Sequence, residues 1–106
     1  MDVYTVYTDI KKGLDAKEFV VNMKSFLDNL PTLETYRITR MKLGFRSMDL
    51  PEFRIDMDFK NMQALDDAMT RVIHNDDDIE TKHVSFNSMV DVSSIQHFLY
   101  RDFPDE

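Results

Sequence analysis

The feature that most constrains the fold is a stretch in the middle of the chain, residues 52–60, in which apolar and charged side chains alternate. The apolar positions are Phe53, Ile55, Met57 and Phe59, and the positions between them are Arg54, Asp56 and Asp58. A period of two places successive side chains on opposite faces of a β-strand. This strand must therefore bury one face in a core, while its other face finds water or partners for its charges.

The rest of the chain divides into elements of similar length. Strands are predicted over residues 3–10, 34–43 and 82–90, and helices over residues 15–30 and 61–74, followed by a helical tail over 91–103. Asp15 and Asn61 are the expected N-caps of the first two helices. The first strand is rich in β-formers on both faces, which favours a central place in a sheet, whereas charges on the second favour an edge.

This order of elements predicts the fold class. Strand, helix, strand, strand, helix and strand follow one another in a single α+β domain of 106 residues. The order is that of the ferredoxin-like βαββαβ fold, a four-stranded antiparallel sheet with two helices on one face. An extra C-terminal helix would occupy residues 91–106. The apolar face of residues 52–60 should meet the helices, and this strand should lie inside the sheet, beside the first and second strands.

Composition excludes several function classes. The net charge is -7 and the pI is about 4.8, so the chain should repel phosphate backbones and anionic membrane surfaces. No apolar run approaches the roughly 20 residues of a membrane span, and the N-terminus has no signal-peptide pattern. The absence of Cys excludes disulfides, thiolate metal sites and Cys nucleophiles. These features predict a cytoplasmic protein that binds neither nucleic acid nor membrane.

The candidate site is on the sheet face opposite the helices. Four residues are expected there and are predicted to bind a ligand: Arg37, Arg54, Asp56 and His83. Such groups in one enclosed place form a polar pocket, in which an Arg binds a carboxylate or enolate while Asp56 or His83 accepts a proton. The alternative is an ion-pair network that sets the register of a dimer, with His83 as a hydrogen-bonded structural residue.

Neither a metal nor a cofactor is expected. The three His residues, His74, His83 and His97, have no metal-ligand spacing. The acidic run over residues 75–80 lacks the Gly and Glu of an EF-hand and is predicted to be a solvated loop. With only two Gly in the chain, no phosphate-binding loop is present.

Two apolar features have alternative interpretations. The eight Met residues either fill irregular gaps in the core or line an adaptable apolar pocket or interface. The connection over residues 44–51 carries Phe45, Met48 and Leu50, which either pack locally or belong to a lid or a dimer contact.

The order and lengths of the elements over residues 3–90 resemble the dimeric α+β barrel proteins, in which two ferredoxin-like sheets pack face to face around a shared interior. That group includes cofactor-free monooxygenases of the antibiotic-biosynthesis type, heme-degrading enzymes and muconolactone-isomerase-like proteins. No catalytic motif of these proteins occurs in this chain. The sequence is most similar to a small bacterial family of unknown function within the group.

The resemblance implies a homodimer that binds a small apolar or anionic molecule in its interior. It could act without a cofactor, as an isomerase or a monooxygenase does. The alternative is a non-catalytic protein whose charged sheet face and tail helix build an oligomer. The sequence leaves open whether the chain is an enzyme.

Overall fold

The computed structural model describes residues 1–42, 50–73 and 77–104. Within them the strands are β1 (Asp2–Thr8), β2 (Leu33–Arg40), β3 (Phe53–Phe59) and β4 (Gln96–Arg101). The helices are α1 (Ala16–Asp28), α2 (Met62–Ile73) and α3 (Asp77–Asn87), and a short 3₁₀ helix spans Val92–Ser94.

The four strands form one sheet in the order β2-β3-β1-β4, and all neighbours are antiparallel. Ile55 of β3 lies opposite Val6 of β1 and Ile38 of β2, and Val6 in turn lies opposite His97 of β4. This topology is the predicted ferredoxin-like α+β fold. It also confirms that β3 lies between the first and second strands and that β2 is at an edge.

The apolar face of β3 is the floor of the core. Phe53, Ile55 and Phe59 are at most 2% exposed, and the ring of Phe53 lies 5.1 Å from that of Phe19 on α1. The helices cover this face with buried residues of α1 (Phe19, Met23, Phe26, Leu27), α2 (Ala68) and α3 (Ile79, Phe86). The alternation of residues 52–60 therefore predicted correctly which face meets the helices.

Both predicted helix caps are present. The Asp15 carboxylate accepts the backbone N–H of Lys17 at 3.0 Å, and the Asn61 side-chain oxygen accepts that of Ala64 at 2.9 Å. Each cap satisfies a backbone donor that the first turn of a helix leaves without an intrahelical acceptor.

The predicted fourth strand over residues 82–90 is wrong, because most of that segment belongs to helix α3 (Asp77–Asn87). Ile79, His83 and Phe86 are spaced four and three residues apart, so a helix turns all three to one side. Val84, which alternation would place beside Phe86, is 54% exposed. The start of α3 also takes up part of the acidic run that was predicted as a loop.

The predicted C-terminal helix is also wrong. Residues 91–101 contain the 3₁₀ helix Val92–Ser94 and then β4, which pairs with β1 from Asp2 opposite Arg101 to Tyr7 opposite Gln96. Without β4, the edge of β1 that faces away from β3 would have no strand to pair with. Its backbone N–H and C=O groups would then lack hydrogen-bond partners, which is unfavourable wherever they are shielded from water. The extra helix of the fold is thus α3, and it precedes the last strand.

Two features named from the sequence lie outside the described residues: the connection with Phe45 and Met48, and the helix end with His74. Leu50, which follows that connection, is 38% exposed. In the described ranges, no helix has both the length and the apolar character needed to cross a membrane.

Candidate functional site

A cavity of about 270 Å³ lies between the helix-covered face of the sheet and the three helices. Its volume is just below the range of roughly 300–1,000 Å³ that is typical of pockets for drug-sized ligands. Fourteen of the described residues line it: Tyr4, Val6, Met23, Phe26, Leu27, Ile55, Met57, Met69, Val72, His83, Phe86, Asn87, Ile95 and His97. The sheet, through β1, β3 and β4, and the three helices therefore all contribute residues to one cavity.

Methionine is prominent in this lining. Met23, Met57 and Met69 come from three different elements and account for three of the eight Met residues in the chain. Met side chains adapt their shape to what they contact. Met23 and Met57 also belong to the buried core, so the interpretations of Met as core filler and as adaptable lining both remain open for them.

Among the described residues, no charged side chain lines the cavity. None of the fourteen described lining residues is Asp, Glu, Lys or Arg, although these types make up 31% of the chain. The polar groups are Tyr4, His83, Asn87 and His97. The cavity is thus an apolar space with a few hydrogen-bonding groups, which is the usual character of a small-molecule site.

Tyr4 and His97 form a hydrogen-bonded pair at the β1–β4 side of the cavity. The Tyr4 hydroxyl lies 2.8 Å from Nδ1 of His97, and the two rings are 6.1 Å apart. Burial raises the pKa of Tyr4 above its ordinary value, so the phenol keeps its proton at neutral pH. The pair can therefore donate a hydrogen bond to an oxygen atom of a bound molecule.

His83 reaches the cavity from α3. Its ring lies 5.4 Å from the ring of Phe26 and 5.2 Å from that of Phe86. Burial lowers the pKa of His83, and the negative charge of Glu80 opposes this shift only in part. The imidazole is therefore neutral at pH 7 and can accept a proton.

The structure separates the four predicted site residues. Arg37, Arg54 and Asp56 lie together on the sheet face opposite the helices, which we call the open face, with Arg37 paired in register with Asp56. His83 lies on the other side of the sheet, because residues 82–90 are not a strand. The predicted grouping of His83 with the charged residues is thus wrong, and the grouping of the other three is correct.

Two of the charged side chains on the open face, Arg54 and Asp56, are bonded to each other. Nε of Arg54 lies 3.1 Å from a carboxylate oxygen of Asp56, and the Thr5 hydroxyl donates to the other oxygen at 2.6 Å. The Arg54 guanidinium also lies 5.6 Å from the centre of the Tyr7 ring. Asp58 accepts a hydrogen bond from the Thr35 hydroxyl.

Aromatic side chains cover the β4 side of the open face. The Tyr7 and Phe98 rings meet edge to face at 6.1 Å, and Tyr100 follows at 6.3 Å from Phe98. Phe98 and Tyr100 are 45% and 49% exposed. Half-exposed aromatic rings beside a paired ion network are typical of a surface that meets another protein.

Sequence reasoning missed Tyr4, Asn87 and His97 as site residues. The alternation of the first strand places Tyr4 and Val6 on one face, but the sequence did not say which face the helices cover. His97 and Asn87 were missed because their segments were assigned to the wrong types of element. Among the residues that the structure describes, no cluster of three or more His, Asp or Glu side chains could hold a metal ion.

Comparison with known proteins places the fold in a well-populated group. A model described as "Family of unknown function (DUF6614)" matches residues 1–106. No curated protein matches the sequence.

Solved structures resemble the whole chain at low sequence identity. A protein of Arabidopsis thaliana has a TM-score of 0.78 at 7% identity, covering 100% of this chain and 99% of its own. A DABB family protein with a ferredoxin-like fold from Mesorhizobium loti has a TM-score of 0.66 at 20% identity, with 96% of each chain covered. A candidate antibiotic biosynthesis monooxygenase from Nitrosomonas europaea has a TM-score of 0.67 at 12% identity, covering 97% and 99%.

Three further matching structures are described as dimeric ferredoxin-like proteins of unknown function. At these identities the likeness shows the fold alone. It confirms the predicted resemblance to the dimeric ferredoxin-like group.

Proposed function

We propose that this chain, which belongs to the family of unknown function DUF6614, binds a small and mostly apolar molecule in the cavity between its sheet and its helices. The observation that carries the proposal is the placement of Tyr4, His83 and His97 around one mostly apolar cavity. Tyr4 and His83 are partly buried and His97 is exposed, so hydrogen-bonding groups border an apolar space where an entering molecule can reach them. A ligand with an apolar body and a matching hydrogen-bonding group fits this arrangement.

The chemistry that fits this site is proton transfer without a cofactor. A neutral His83 accepts a proton from an acidic C–H or O–H of the bound molecule, and the Tyr4 hydroxyl donates to the oxygen on which negative charge develops. In this arrangement Nδ1–H of His97 donates to the Tyr4 oxygen across their 2.8 Å contact, which holds the hydroxyl in place and leaves its proton for the ligand. Such a proton transfer is the first step that an isomerase and a cofactor-free monooxygenase have in common, so these are the reaction classes that we propose.

Methionine methyl groups provide a direct test of ligand binding. In a ¹³C-methyl-Met NMR spectrum, Met23, Met57 and Met69 report on the cavity, while Met41 and Met62, which are 42% and 52% exposed, lie outside it. Screening phenols, quinones and ketones should yield compounds that shift the first three signals and leave the other two in place.

A variant that fills the cavity should abolish the response. Val72→Phe adds a ring at the cavity wall, and Val84→Phe, at an exposed position of α3 outside the lining, is the matched control. Compounds should bind Val84→Phe as they bind the unchanged protein and should not bind folded Val72→Phe. Equal binding to both variants would place the ligand elsewhere and end the proposal.

We further propose that the open face packs against the open face of a second copy, giving a homodimer. The exposed rings of Phe98 and Tyr100 and the paired charges of Arg54 and Asp56 support this assembly, as do the three dimeric ferredoxin-like proteins of the same fold. In such a dimer the cavity stays on the outer side of each sheet. Each copy would then hold its own ligand.

Sedimentation tests the dimer. At micromolar concentration the unchanged protein should sediment as a dimer, and Phe98→Glu should sediment as a monomer, because it buries a charge in the interface. Val84→Glu, at a similarly exposed position on the helix side, should remain dimeric. A monomeric unchanged protein would refute this assembly without affecting the cavity.

The alternative function is a non-catalytic oligomer-building protein. The observation that favours it is the internal pairing of the open-face charges, since Asp56 has partners in Arg54 and Thr5 already within one copy. The predicted ligand-binding roles of Arg37, Arg54 and Asp56 apply to the space that two open faces would enclose. Arg54→Ala tests whether Arg54 binds the ligand. The variant should bind ligands in the cavity as the unchanged protein does, and a loss of the Met methyl shifts would show that Arg54 contributes to the ligand site.

A further inference from the structure

We infer that the cavity selects uncharged molecules that carry a hydroxyl or carbonyl group, and that it discriminates against carboxylates and ammonium ions of the same size. This inference rests on the proposed function, because it concerns the ligand of the same cavity. The sequence predicted an apolar or anionic ligand, and this inference restricts the ligand to uncharged molecules.

The lining carries the argument. No Lys or Arg among the described residues borders the cavity to pair with an anion, and no Asp or Glu borders it to pair with a cation. An ion that leaves water without a partner loses its hydration and gains nothing in return. A hydroxyl or carbonyl loses much less and recovers its hydrogen bonds from Tyr4, His97 or Asn87.

A negative charge on α3 disfavours anions further. Glu80 lies one turn before His83 on α3, and its negative charge acts on that imidazole. Protonation of His83 would supply a cation for a carboxylate, but the rings of Phe26 and Phe86 beside it would leave that cation poorly solvated. The guanidinium of Arg54 cannot help, because it lies on the other side of the sheet.

Three probes with the same apolar body test the inference: 2-naphthol, 2-naphthoate and 2-naphthylmethylammonium. Titration at pH 7 with calorimetry, and with the Met methyl signals to locate the site, should show at least tenfold tighter binding of the naphthol than of either ion. The whole chain of residues 1–106 is used throughout. The methyl signals of Met57 and Met69 should move with the naphthol.

A designed cation should change the preference. Asn87 lines the cavity and is exposed to solvent, so Asn87→Lys can place an ammonium at the rim without burying it. The adjacent exposed Ser88 does not line the cavity, and Ser88→Lys is the matched control. We expect Asn87→Lys to bind 2-naphthoate severalfold more tightly than Ser88→Lys does, with little change for 2-naphthol.

The outcomes separate the inference from the proposed function. If the naphthoate or the ammonium ion binds in the cavity as tightly as the naphthol, charge selection is refuted and the ligand cavity stands. If none of the three moves the cavity signals at millimolar concentration, both the selection and the proposed cavity site fail. If binding moves only the signals of Met41 or Met62, the ligand lies outside the cavity, and both the selection and the proposed cavity site again fail.

Discussion

The open face of the sheet carries an ion pair, whereas the helix-covered face carries uncharged polar side chains where it borders the cavity. On the open face Arg54 and Asp56 are bonded to each other and remain 47% and 21% exposed. On the covered face Tyr4 and His97 are bonded to each other beside a cavity with no charged lining among the described residues. The members of each pair thus satisfy one another within one copy, but the open-face pair is an ion pair and the pair beside the cavity is a hydrogen bond.

Solvent access explains this difference. A charge near water keeps part of its hydration and needs only a modest partner, whereas a charge beneath three helices would need complete pairing. The covered face can therefore hold hydrogen-bonding groups whose protonation is set by burial, which is what acid–base chemistry requires. The open face can hold charges that orient a protein partner.

The largest expected difference between the two faces is in packing. Phe59 is fully buried beneath the helices, and Phe59→Ala should lower the free energy of unfolding by about 3–5 kcal/mol. Phe98 is 45% exposed on the open face, and Phe98→Ala should cost about 1 kcal/mol or less at concentrations where the protein is monomeric. Urea unfolding of both variants measures the contrast.

Protein concentration sharpens this experiment. If a second copy covers the open face, the loss for Phe98→Ala should grow as concentration rises, because dimerisation stabilises the folded state. The loss for Phe59→Ala should change little. Equal losses at low concentration would mean that the open face is packed within the monomer.

The next effect concerns the buried hydroxyl of the open face. Thr5 is completely buried and donates to the carboxylate of Asp56 at 2.6 Å. Thr5→Val should cost about 1–3 kcal/mol, since the lost hydrogen bond involves an ionised acceptor. The control is Thr39→Val on β2, where the hydroxyl makes only a 3.5 Å contact and the expected change is within about 0.5 kcal/mol. A neutral Thr5→Val would show that Arg54 alone satisfies Asp56.

The covered face should give the protein a pH dependence through His83. Its pKa is lowered in the folded state, so below about 6.5, the ordinary value, the unfolded chain binds a proton that the folded chain does not. Stability should be complete above that pH and should decrease as the pH falls toward the folded-state pKa. Urea unfolding between pH 5 and 8 measures this loss, and His83→Gln should reduce it.

A titration of the His83 ring signals by NMR checks the cause. Glu80 opposes the lowering of the His83 pKa, so Glu80→Gln should lower that pKa further. A pKa that rises in Glu80→Gln, or a His83 that titrates at its ordinary value in the unchanged protein, would contradict a burial-controlled imidazole.

The smallest effect is at the edge of the covered face, where a charge does reach the sheet. The Tyr36 hydroxyl donates to Asp28 at 2.6 Å, and this bond raises the pKa of Tyr36 to about 12. As pH rises above 10, the unfolded chain loses the Tyr36 proton first, so stability should fall slightly toward pH 12. Asp28→Asn should bring the Tyr36 pKa, measured by absorbance titration, back toward 10. An unchanged value would assign the shift to burial instead.

Local sequence patterns correctly predicted the first five elements, β1, α1, β2, β3 and α2. In each of these segments the pattern fits one type of secondary structure better than the other. The alternation of residues 52–60 and the Asp15 and Asn61 caps are such patterns. The patterns also predicted that Arg37, Arg54 and Asp56 share one face, because register follows from alternation once the strands are known.

Residues 77–101 were assigned wrongly because their pattern fits two periods. Phe86 and Val90 share the period of two of a strand with Val84, and they share the spacing of a helix with Ile79. Short apolar runs do not distinguish the two patterns. Tertiary contacts decided between helix and strand. Residues 96–101 pair with the edge of β1 as a strand, and α3 packs as a helix against α1, where Phe86 contacts Phe26. The position of His83 followed from that choice.

The sequence by itself determined which faces of the strands and helices are apolar, and hence the class of fold, because side-chain periodicity is a local property. Only the tertiary structure decided that Tyr4, His83 and His97 meet around one cavity, since their meeting depends on the β1–β4 register and on a helix crossing above it. Pairings between segments more than 80 residues apart are set by the total burial and backbone bonding of the chain, which no single stretch encodes.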